Sequence, residues 1–387
     1  MPATVLCTRL RHTVVNKQRC PINCVAWMPP GDRVLTGGSS GEFVMWSGTE
    51  LGRFETIVQA HDGAAVRTMV WSPGNNWLVS GDDAGTIKIW QPTLNNVKKL
   101  PGAHTAAVRS IAFSPSADKL VSGGDDNTVR IWDFHTAREE RLCAGHGQEV
   151  RCVDWHPTKG LVASCAKDSC AKLFDPRTGL AVRTMHAHNL GMNTVAWSPD
   201  GTTLLTAGRD KMLKSHDMRR LDAPVCVYRG HADEVCTAVW SAESPSVFVS
   251  GGLDGTIGHW LDGDPDPLII IKPHESAVWA LAWHPAGVSL LSGSNDFSTK
   301  IWARSRPSDP TPVAYVPPPP VALALALSIG NFHAKGSAGP PAGYTCHGCG
   351  ISGHWRVECP NSTNSTDTAA EHIHNSSSSS RKRGRLS

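Results

Sequence analysis

Charged residues are scarce in this chain of 387 residues. They make up 18% of it, and the formal net charge at pH 7 is only +3. So small a net charge does not by itself indicate a nucleic-acid binder, which usually has a clustered basic patch. The sequence also has no apolar run of the roughly 18 residues that a membrane-spanning helix needs. Because no apolar segment lies near the first residues either, we expect a soluble, non-secreted protein without a membrane partner.

Motifs of catalysis are missing as well. The sequence has no glycine-rich phosphate loop, no nucleophile elbow and no paired-carboxylate motif, so we expect no enzymatic activity. Twelve cysteines are too few for a disulfide framework in a chain of this length. Most of them are scattered among apolar runs, which is typical of small buried side chains. Three others, Cys346, Cys349 and Cys359, lie close together near the end.

What the sequence does have is an internal repeat. Three series of marker residues recur every 42 to 44 residues. The histidine series is His61, His104, His146, His188, His231 and His274. The aromatic series is Trp27, Trp71, Phe113, Trp155, Trp197, Trp240 and Trp283. The residues that close the seven units are Trp46, Trp90, Trp132, Phe174, His216, Trp260 and Trp302. A fixed period of this length predicts a repeat architecture.

Each unit contains short alternating apolar runs separated by turn signals, which predicts four strands. The period and the Gly-His and Trp-Asp dipeptides resemble the WD40 family, whose blades are four-stranded sheets around a central channel. We therefore predict an all-β fold, a seven-bladed propeller over residues 20–303. Residues 1–19 would supply a strand that closes the last blade, running from Thr4 to Thr13 beside the strand that ends at Trp302.

The WD40 resemblance also implies a buried chain of hydrogen bonds within each blade. Its members are a histidine, a Ser or Thr, an Asp in a turn and a Trp. Three complete sets are predicted: His104, Ser122, Asp126 and Trp132; His231, Ser250, Asp254 and Trp260; His274, Ser292, Asp296 and Trp302. Other units depart from the pattern. Ser40 and Ala84 stand at the Asp position of units 1 and 2, and Phe174 and His216 replace the Trp of units 4 and 5.

After residue 303 the composition changes. A Pro- and Ala-rich linker is predicted over residues 304–340, because its prolines exclude helix and interior strand. Cys346, Cys349, His354 and Cys359 follow within residues 341–361, spaced C-x2-C-x4-H-x4-C. Three thiolates and an imidazole complete a tetrahedral shell for one structural Zn2+, and a unit this small has too little core to fold without the metal.

This motif resembles the CCHC zinc knuckle, a module that grips unpaired bases of nucleic acids. Trp355 would be its stacking platform. The alternative is a zinc-held module that binds another protein. Residues 362–387 form a Ser-rich basic tail whose cluster of Arg381, Lys382, Arg383 and Arg385 suits a nuclear-import signal, so we expect the protein in the nucleus.

Stretches such as NKQRCP, TGGSSGEFVMWSG and FETIVQAHD are similar to the WD-repeat subunit of the cleavage and polyadenylation specificity factor, over nearly residues 15–306. The resemblance implies a non-enzymatic subunit that helps recognise the AAUAAA-type signal in pre-mRNA, with two protein partners: a CCCH zinc-finger subunit and a large multi-propeller scaffold subunit. It also implies RNA contacts at Lys17, Phe54 and Ile57. From the residues alone, Phe54 and Ile57 are strand-packing residues.

Other functions stay open at this point, because one fold hosts many unrelated roles. The protein could be a WD40 interaction scaffold, such as a ubiquitin-ligase substrate receptor. It could also bind RNA nonspecifically through the knuckle and the basic tail, which would make binding steeply dependent on salt.

Overall fold

The chain folds into 28 strands arranged as seven four-stranded antiparallel sheets. The computed structural model describes residues 6–16, 18–47, 53–305 and 315. Each sheet is one blade, and the first strands of adjoining blades lie next to one another in a closed ring. The predicted all-β seven-bladed propeller is confirmed. Within the described residues there is no helix long and apolar enough to cross a membrane.

Blades 1 to 3 follow the chain in order, each running from its innermost to its outermost strand. Blade 1 has β2 (Ile22–Met28), β3 (Arg33–Gly38), β4 (Glu42–Ser47) and β5 (Phe54–Gln59). Blade 2 has β6 (Val66–Trp71), β7 (Leu78–Asp82), β8 (Ile87–Trp90) and β9 (Asn96–Leu100). Blade 3 has β10 (Val108–Phe113), β11 (Lys119–Gly124), β12 (Val129–Asp133) and β13 (Arg138–Cys143).

Blades 4 to 6 continue in the same way. Blade 4 has β14 (Val150–Trp155), β15 (Val162–Ala166), β16 (Cys170–Phe174) and β17 (Ala181–His186). Blade 5 has β18 (Met192–Trp197), β19 (Thr203–Gly208), β20 (Met212–Asp217) and β21 (Cys226–Arg229). Blade 6 has β22 (Val235–Trp240), β23 (Val247–Gly252), β24 (Ile257–Leu261) and β25 (Ile269–Ile271).

Blade 7 combines both ends of the repeat array. It has β26 (Val278–Trp283), β27 (Ser289–Ser294), β28 (Ser298–Ala303) and, from the start of the chain, β1 (Arg9–Val15). The two end strands pair antiparallel, with Leu10 opposite Trp302 and Val15 opposite Ser298. The closing strand therefore begins and ends later than the predicted span from Thr4 to Thr13. Pairing with β1 leaves β28 with hydrogen-bonded neighbours on both sides, as an interior strand.

The hydrophobic core is divided among the blades. Seven buried clusters are present, one between each pair of adjoining blades. Between blades 1 and 2, for example, the rings of Phe43 and Trp90 meet edge to face with centroids 5.3 Å apart. A blade therefore buries its two faces against its neighbours, and the propeller is stable only as a complete ring.

Polar groups are buried in the middle of these apolar sheets. In blade 3, Trp132 Nε1 donates to Ser122 Oγ at 2.8 Å, and Ser122 Oγ lies 2.7 Å from His104 Nε2. The other ring nitrogen, Nδ1, lies 2.9 Å from Asp126 Oδ1. Since the carboxylate only accepts, the hydrogen-bond pattern places a proton on Nδ1 of His104. Burial opposes ionisation of Asp126, but hydrogen bonds from His104 and Thr128 outweigh it and lower the pKa of the carboxyl.

Blade 7 has the same chain of contacts. His274 lies 2.8 Å from both Asp296 and Ser292, and Trp302 Nε1 donates to Ser292 Oγ at 2.9 Å. Blade 6 differs at one link. His231 Nδ1 lies 2.8 Å from Thr256 Oγ1 but 4.0 Å from Asp254, so the threonine hydroxyl stands between the ring and the carboxylate.

The expectation that blade 2 lacks its acidic member is wrong. Asp82, two residues before Ala84, lies 2.7 Å from His61 Nδ1 and also accepts from the backbone N–H of Thr86 at 2.7 Å. A carboxylate at the end of β7 therefore reaches the same histidine nitrogen that a turn residue reaches in blade 3. The turn after β7 packs closely against the backbone at His104. Gly85 in this turn has φ +78°, and a Cβ there would clash with the carbonyl oxygen of His104, so the position requires glycine.

The two replacements of Trp have different consequences. His216 Nε2 lies 3.3 Å from Thr206 Oγ1, so the imidazole of blade 5 occupies the position of the indole donor. Burial lowers the pKa of His216 to about 4, which keeps the ring neutral at pH 7. Phe174 of blade 4 is fully buried and packs edge to face on His146 with centroids 6.2 Å apart.

The substitution Ser122→Ala tests the energetic role of the buried hydroxyl. It removes one partner each from His104 and Trp132 while both stay buried, so we expect the free energy of unfolding to fall by about 2–4 kcal/mol. Chemical denaturation of the two proteins measures the difference. Ser116→Ala, at an exposed serine of the same blade, is the matched control and should change the value by less than about 0.5 kcal/mol. Equal losses in the two variants would contradict this role.

Candidate nucleic-acid interface

Phe54 begins β5, the outermost strand of blade 1. Its side chain is half-buried, and its ring meets that of Trp46 edge to face with centroids 5.7 Å apart and planes at 78°. It packs against the cluster between blades 7 and 1. Trp46 in turn donates to Thr36 Oγ1 at 3.4 Å. The ring of Phe54 is therefore held at the edge of the core by Trp46, which is itself fixed by its hydrogen bond to Thr36.

Ile57 lies on the same strand and on the same face of the sheet as Phe54. The pairing with β4 shifts register between Met45 and Trp46, because β5 has one extra residue directly after Phe54. Phe54 lies opposite Trp46 and Ile57 lies opposite Val44, and both of these β4 residues belong to the cluster between blades 7 and 1. Since directly opposite residues of an antiparallel pair share a face, the half-buried Phe54 and the 38% exposed Ile57 both lie on the face towards blade 7.

The surface around β5 carries charges of both signs. Arg33 Nε lies 3.0 Å from Glu55 Oε2, and the Arg33 side chain is 48% exposed. On the closing strand Arg11 is exposed, and Arg19 is exposed in the connection to blade 1. Since β1 belongs to blade 7, which adjoins blade 1, cationic side chains occur on both blades next to Phe54. Such charges can bind phosphate groups without selecting a base sequence.

The remaining sequence-predicted site residues lie outside the described residues. They are Lys17, Trp355, the zinc ligands Cys346, Cys349, His354 and Cys359, and the import cluster Arg381, Lys382, Arg383 and Arg385. Within the described part of the chain, no group of three or more His, Cys, Asp or Glu side chains could hold a metal ion. The candidate interface that can be described is therefore the outer strand of blade 1.

Comparison with known families agrees with this architecture. The family described as "WD domain, G-beta repeat" matches seven segments: residues 9–47, 52–91, 95–133, 138–175, 179–217, 222–260 and 265–303. These segments cover more than half of the chain, and each one runs from the outermost strand of one blade through the three inner strands of the next. The chain belongs to the WD40 repeat family.

Among individual proteins, the chain is similar to several fungal proteins named "Polyadenylation factor subunit 2". The one from Schizosaccharomyces pombe is 41% identical over 329 residues, which cover 79% of this chain and 64% of that protein. The one from Neurospora crassa is 50% identical over 101 residues, 26% of this chain and 15% of that protein. The one from Saccharomyces cerevisiae is 40% identical over 81 residues, 21% of this chain and 17% of that protein. The chain thus spans less than two thirds of the length of each of these relatives.

The unequal burial of Phe54 and Ile57 predicts unequal effects on stability. Phe54→Ala removes a ring packed on Trp46 and should lower the free energy of unfolding by about 1–2 kcal/mol, roughly half the cost for a fully buried Phe. Ile57→Ala should change it by less than about 0.5 kcal/mol, because Ile57 is exposed. Thermal and urea unfolding of the two variants measure both values. If Ile57→Ala were the more destabilising change, the orientation of β5 described above would be wrong.

Proposed function

We propose that this chain is a non-enzymatic WD40 subunit of a polyadenylation factor and that it helps recognise an AAUAAA-type signal in pre-mRNA. The observation that carries the proposal is the 41% identity with the S. pombe polyadenylation factor subunit, which extends over 79% of the chain. A match that extends over so much of a repeat array spans the loops that join blades as well as the strands.

The proposed RNA contact is at the outer strand of blade 1. β5 is the last strand of its sheet, so a single strand of RNA can lie along this edge. Phe54 would supply an aromatic ring, positioned by its contact with Trp46, for a base to stack on. Ile57, on the same face of the sheet, would supply exposed apolar surface for a neighbouring base. Lys17 would add a cationic contact to a phosphate or a base edge.

The proposal includes the knuckle as a second RNA contact. Cys346, Cys349, His354 and Cys359 would hold one structural Zn2+, and with four protein ligands the metal has no open position for substrate. Trp355 would stack on an unpaired base. Because the knuckle is joined to the propeller by a linker, binding of one to an RNA raises the effective concentration of the other on the same strand.

The remaining parts of the proposal concern assembly and location. The propeller would act together with a CCCH zinc-finger subunit and a large multi-propeller scaffold subunit. The cluster of Arg381, Lys382, Arg383 and Arg385 would direct import into the nucleus, where pre-mRNA is processed.

The decisive experiment compares two short RNAs. The purified chain, alone and mixed with the CCCH zinc-finger subunit, is titrated at physiological salt with an RNA that carries AAUAAA and with one in which the hexamer has a point mutation. We expect the mixture to bind AAUAAA tightly and the mutated RNA much more weakly. Phe54→Ala should weaken binding of AAUAAA by about tenfold, because base stacking on an aromatic is worth roughly 1–3 kcal/mol.

A matched control is available in the neighbouring blade. Val97 is an exposed apolar residue on β9, the outermost strand of blade 2, and Val97→Ala should leave RNA binding unchanged. Equal affinity for both RNAs would refute sequence recognition and would leave a scaffold with nonspecific RNA binding. An unchanged affinity in Phe54→Ala would refute the proposed contact on blade 1.

Zinc content tests the knuckle separately. The full chain should contain one zinc per molecule, and Cys346→Ser or Cys359→Ser should abolish it, since loss of one thiolate breaks the tetrahedral shell. Elemental analysis after dialysis against a weak chelator gives the ratio. Cys20→Ser, at a half-buried cysteine of the propeller, should retain the metal. Loss of zinc in that variant, or its retention in the other two, would contradict the assignment.

A further inference from the structure

One end of the central channel carries an unequal distribution of charge. Each blade places one residue on the rim, directly after the first residue of its innermost strand, and these residues line a cavity of about 170 Å3. In three consecutive blades, 2 to 4, the residue is an arginine: Arg67, Arg109 and Arg151. The rim residues of the other blades are uncharged at pH 7. Blade 7, across the ring from blades 3 and 4, supplies Trp279, which is 42% exposed.

The first two arginines are neutralised by a carboxylate of their own blade. Arg67 donates through Nε and Nη2 to the two oxygens of Asp83, both at 2.5 Å. Arg109 makes an equivalent pair with Asp125 at 2.5 to 2.9 Å, and this pair raises the pKa of the guanidinium. Bidentate pairs of this kind hold the side chains in fixed positions on the rim.

Arg151 is only partly neutralised. Its Nη2 lies 3.2 Å from Glu149 Oε2, but Lys167 Nζ lies 2.6 Å from the same oxygen. Its Nε is buried and has no hydrogen-bond partner within the described residues. Burial lowers the pKa of Arg151, and the neighbouring charge of Arg109 lowers it further. One carboxylate therefore serves two cations, and the rim lacks an acceptor at Arg151.

We propose that this rim binds an extended segment of a protein partner through one acidic side chain. A carboxylate or a phosphoserine would enter the cavity as the missing acceptor at Arg151, in the fork geometry that guanidinium favours. An apolar residue next to it in the segment would cover Trp279, which lies across the channel mouth. This site is separate from the outer strand of blade 1 and does not depend on the proposed RNA contact.

The charges around the rim favour a peptide over RNA. Asp83, Asp125 and Glu149 accompany the three arginines, and their side chains are 17% to 35% exposed. The repeated phosphates of a nucleic acid would meet these carboxylates as well as the guanidiniums, whereas a single acidic side chain needs to meet only Arg151.

The test begins with the full chain and a display library of random heptapeptides. We expect the selected peptides to share one Asp or Glu beside an apolar residue. One of them, fluorescently labelled, is then measured in three forms: with its Glu, with Gln in its place and with phosphoserine in its place. The Gln form should bind about tenfold more weakly and the phosphoserine form at least as tightly as the Glu form, since hydrogen bonds to charged groups are worth more than neutral ones.

Variants of the rim give effects of opposite sign. Arg151→Gln and Trp279→Ala should each weaken binding of the Glu peptide by about tenfold. Glu149→Gln should instead tighten it by a few fold, because it removes the carboxylate that competes for Arg151. Arg183→Gln, at an exposed arginine paired with Asp222 on the outside of the propeller, is the control and should bind as the unchanged chain does.

Several results would overturn the proposal. The first is a selection without acidic residues, and the second is equal binding of the Glu and Gln forms. A third is weaker binding in Glu149→Gln when the unfolding curve of that variant matches that of the unchanged chain. A labelled decamer of uridine that binds and is lost in Arg151→Gln would assign the rim to nucleic acid instead.

Discussion

A single buried hydroxyl group joins three segments of the chain in blade 3: two strands and the loop before the blade. Ser122 on β11 accepts from Trp132 on β12 and contacts His104, which lies before β10. Because the histidine also holds Asp126, the loop before the blade and the turn within it are fixed relative to each other. In a fold whose blades bury apolar faces of similar shape, a polar contact that is satisfied in only one alignment excludes slipped strand registers. The positions of the rim residues and of the outer strands depend on that alignment, because the rim residues lie near the start of each innermost strand and the outer strands pair in register with the strands inside them.

The blades show how far that constraint tolerates variation. In blade 6 a threonine hydroxyl stands between His231 and Asp254, and in blade 5 an imidazole replaces the indole. In blade 6 each linked group still has a partner, whereas in blade 5 Nε2 of His216 has one and its buried Nδ1 has none within the described residues. His259 is a different case. It is fully buried in blade 6 with neither ring nitrogen hydrogen-bonded within the described residues, and burial lowers its pKa to about 4. As the pH falls from about 6.5 towards 4, the unfolded chain gains a proton at this histidine that the folded chain excludes, so the site favours unfolding in acid.

Much of the fold follows from the period of the sequence, because seven similar units can bury their faces only against one another. The strand count and three polar chains could be placed from the spacing of His, Ser, Asp and Trp. The closing strand followed from the need to complete the last blade, although its bounds differ from those predicted. What the spacing missed depends on backbone geometry. Asp82 stands two residues away from the position where an acid was sought, and only the shape of the turn brings it to His61. Likewise simple alternation would put Phe54 and Ile57 on opposite faces, but the extra residue in β5 brings both side chains to one face. The arginines of the channel rim recur at the repeat period, so their equivalence is visible in the sequence, but only the closed ring brings them to one cavity.

The position of the closing strand at the start of the chain also sets the order in which the propeller can fold. During synthesis β1 is translated before all other strands, but its partner β28 ends at Ala303 and is translated last. β1 therefore cannot pair until the whole repeat array has been made. Until then blade 7 is incomplete, and the other six blades cannot form a closed ring. Whatever follows Ala303 is translated afterwards, so it can be added, lengthened or lost in evolution without delaying ring closure. A chain built in this way can acquire new C-terminal modules without changing the route by which its propeller folds.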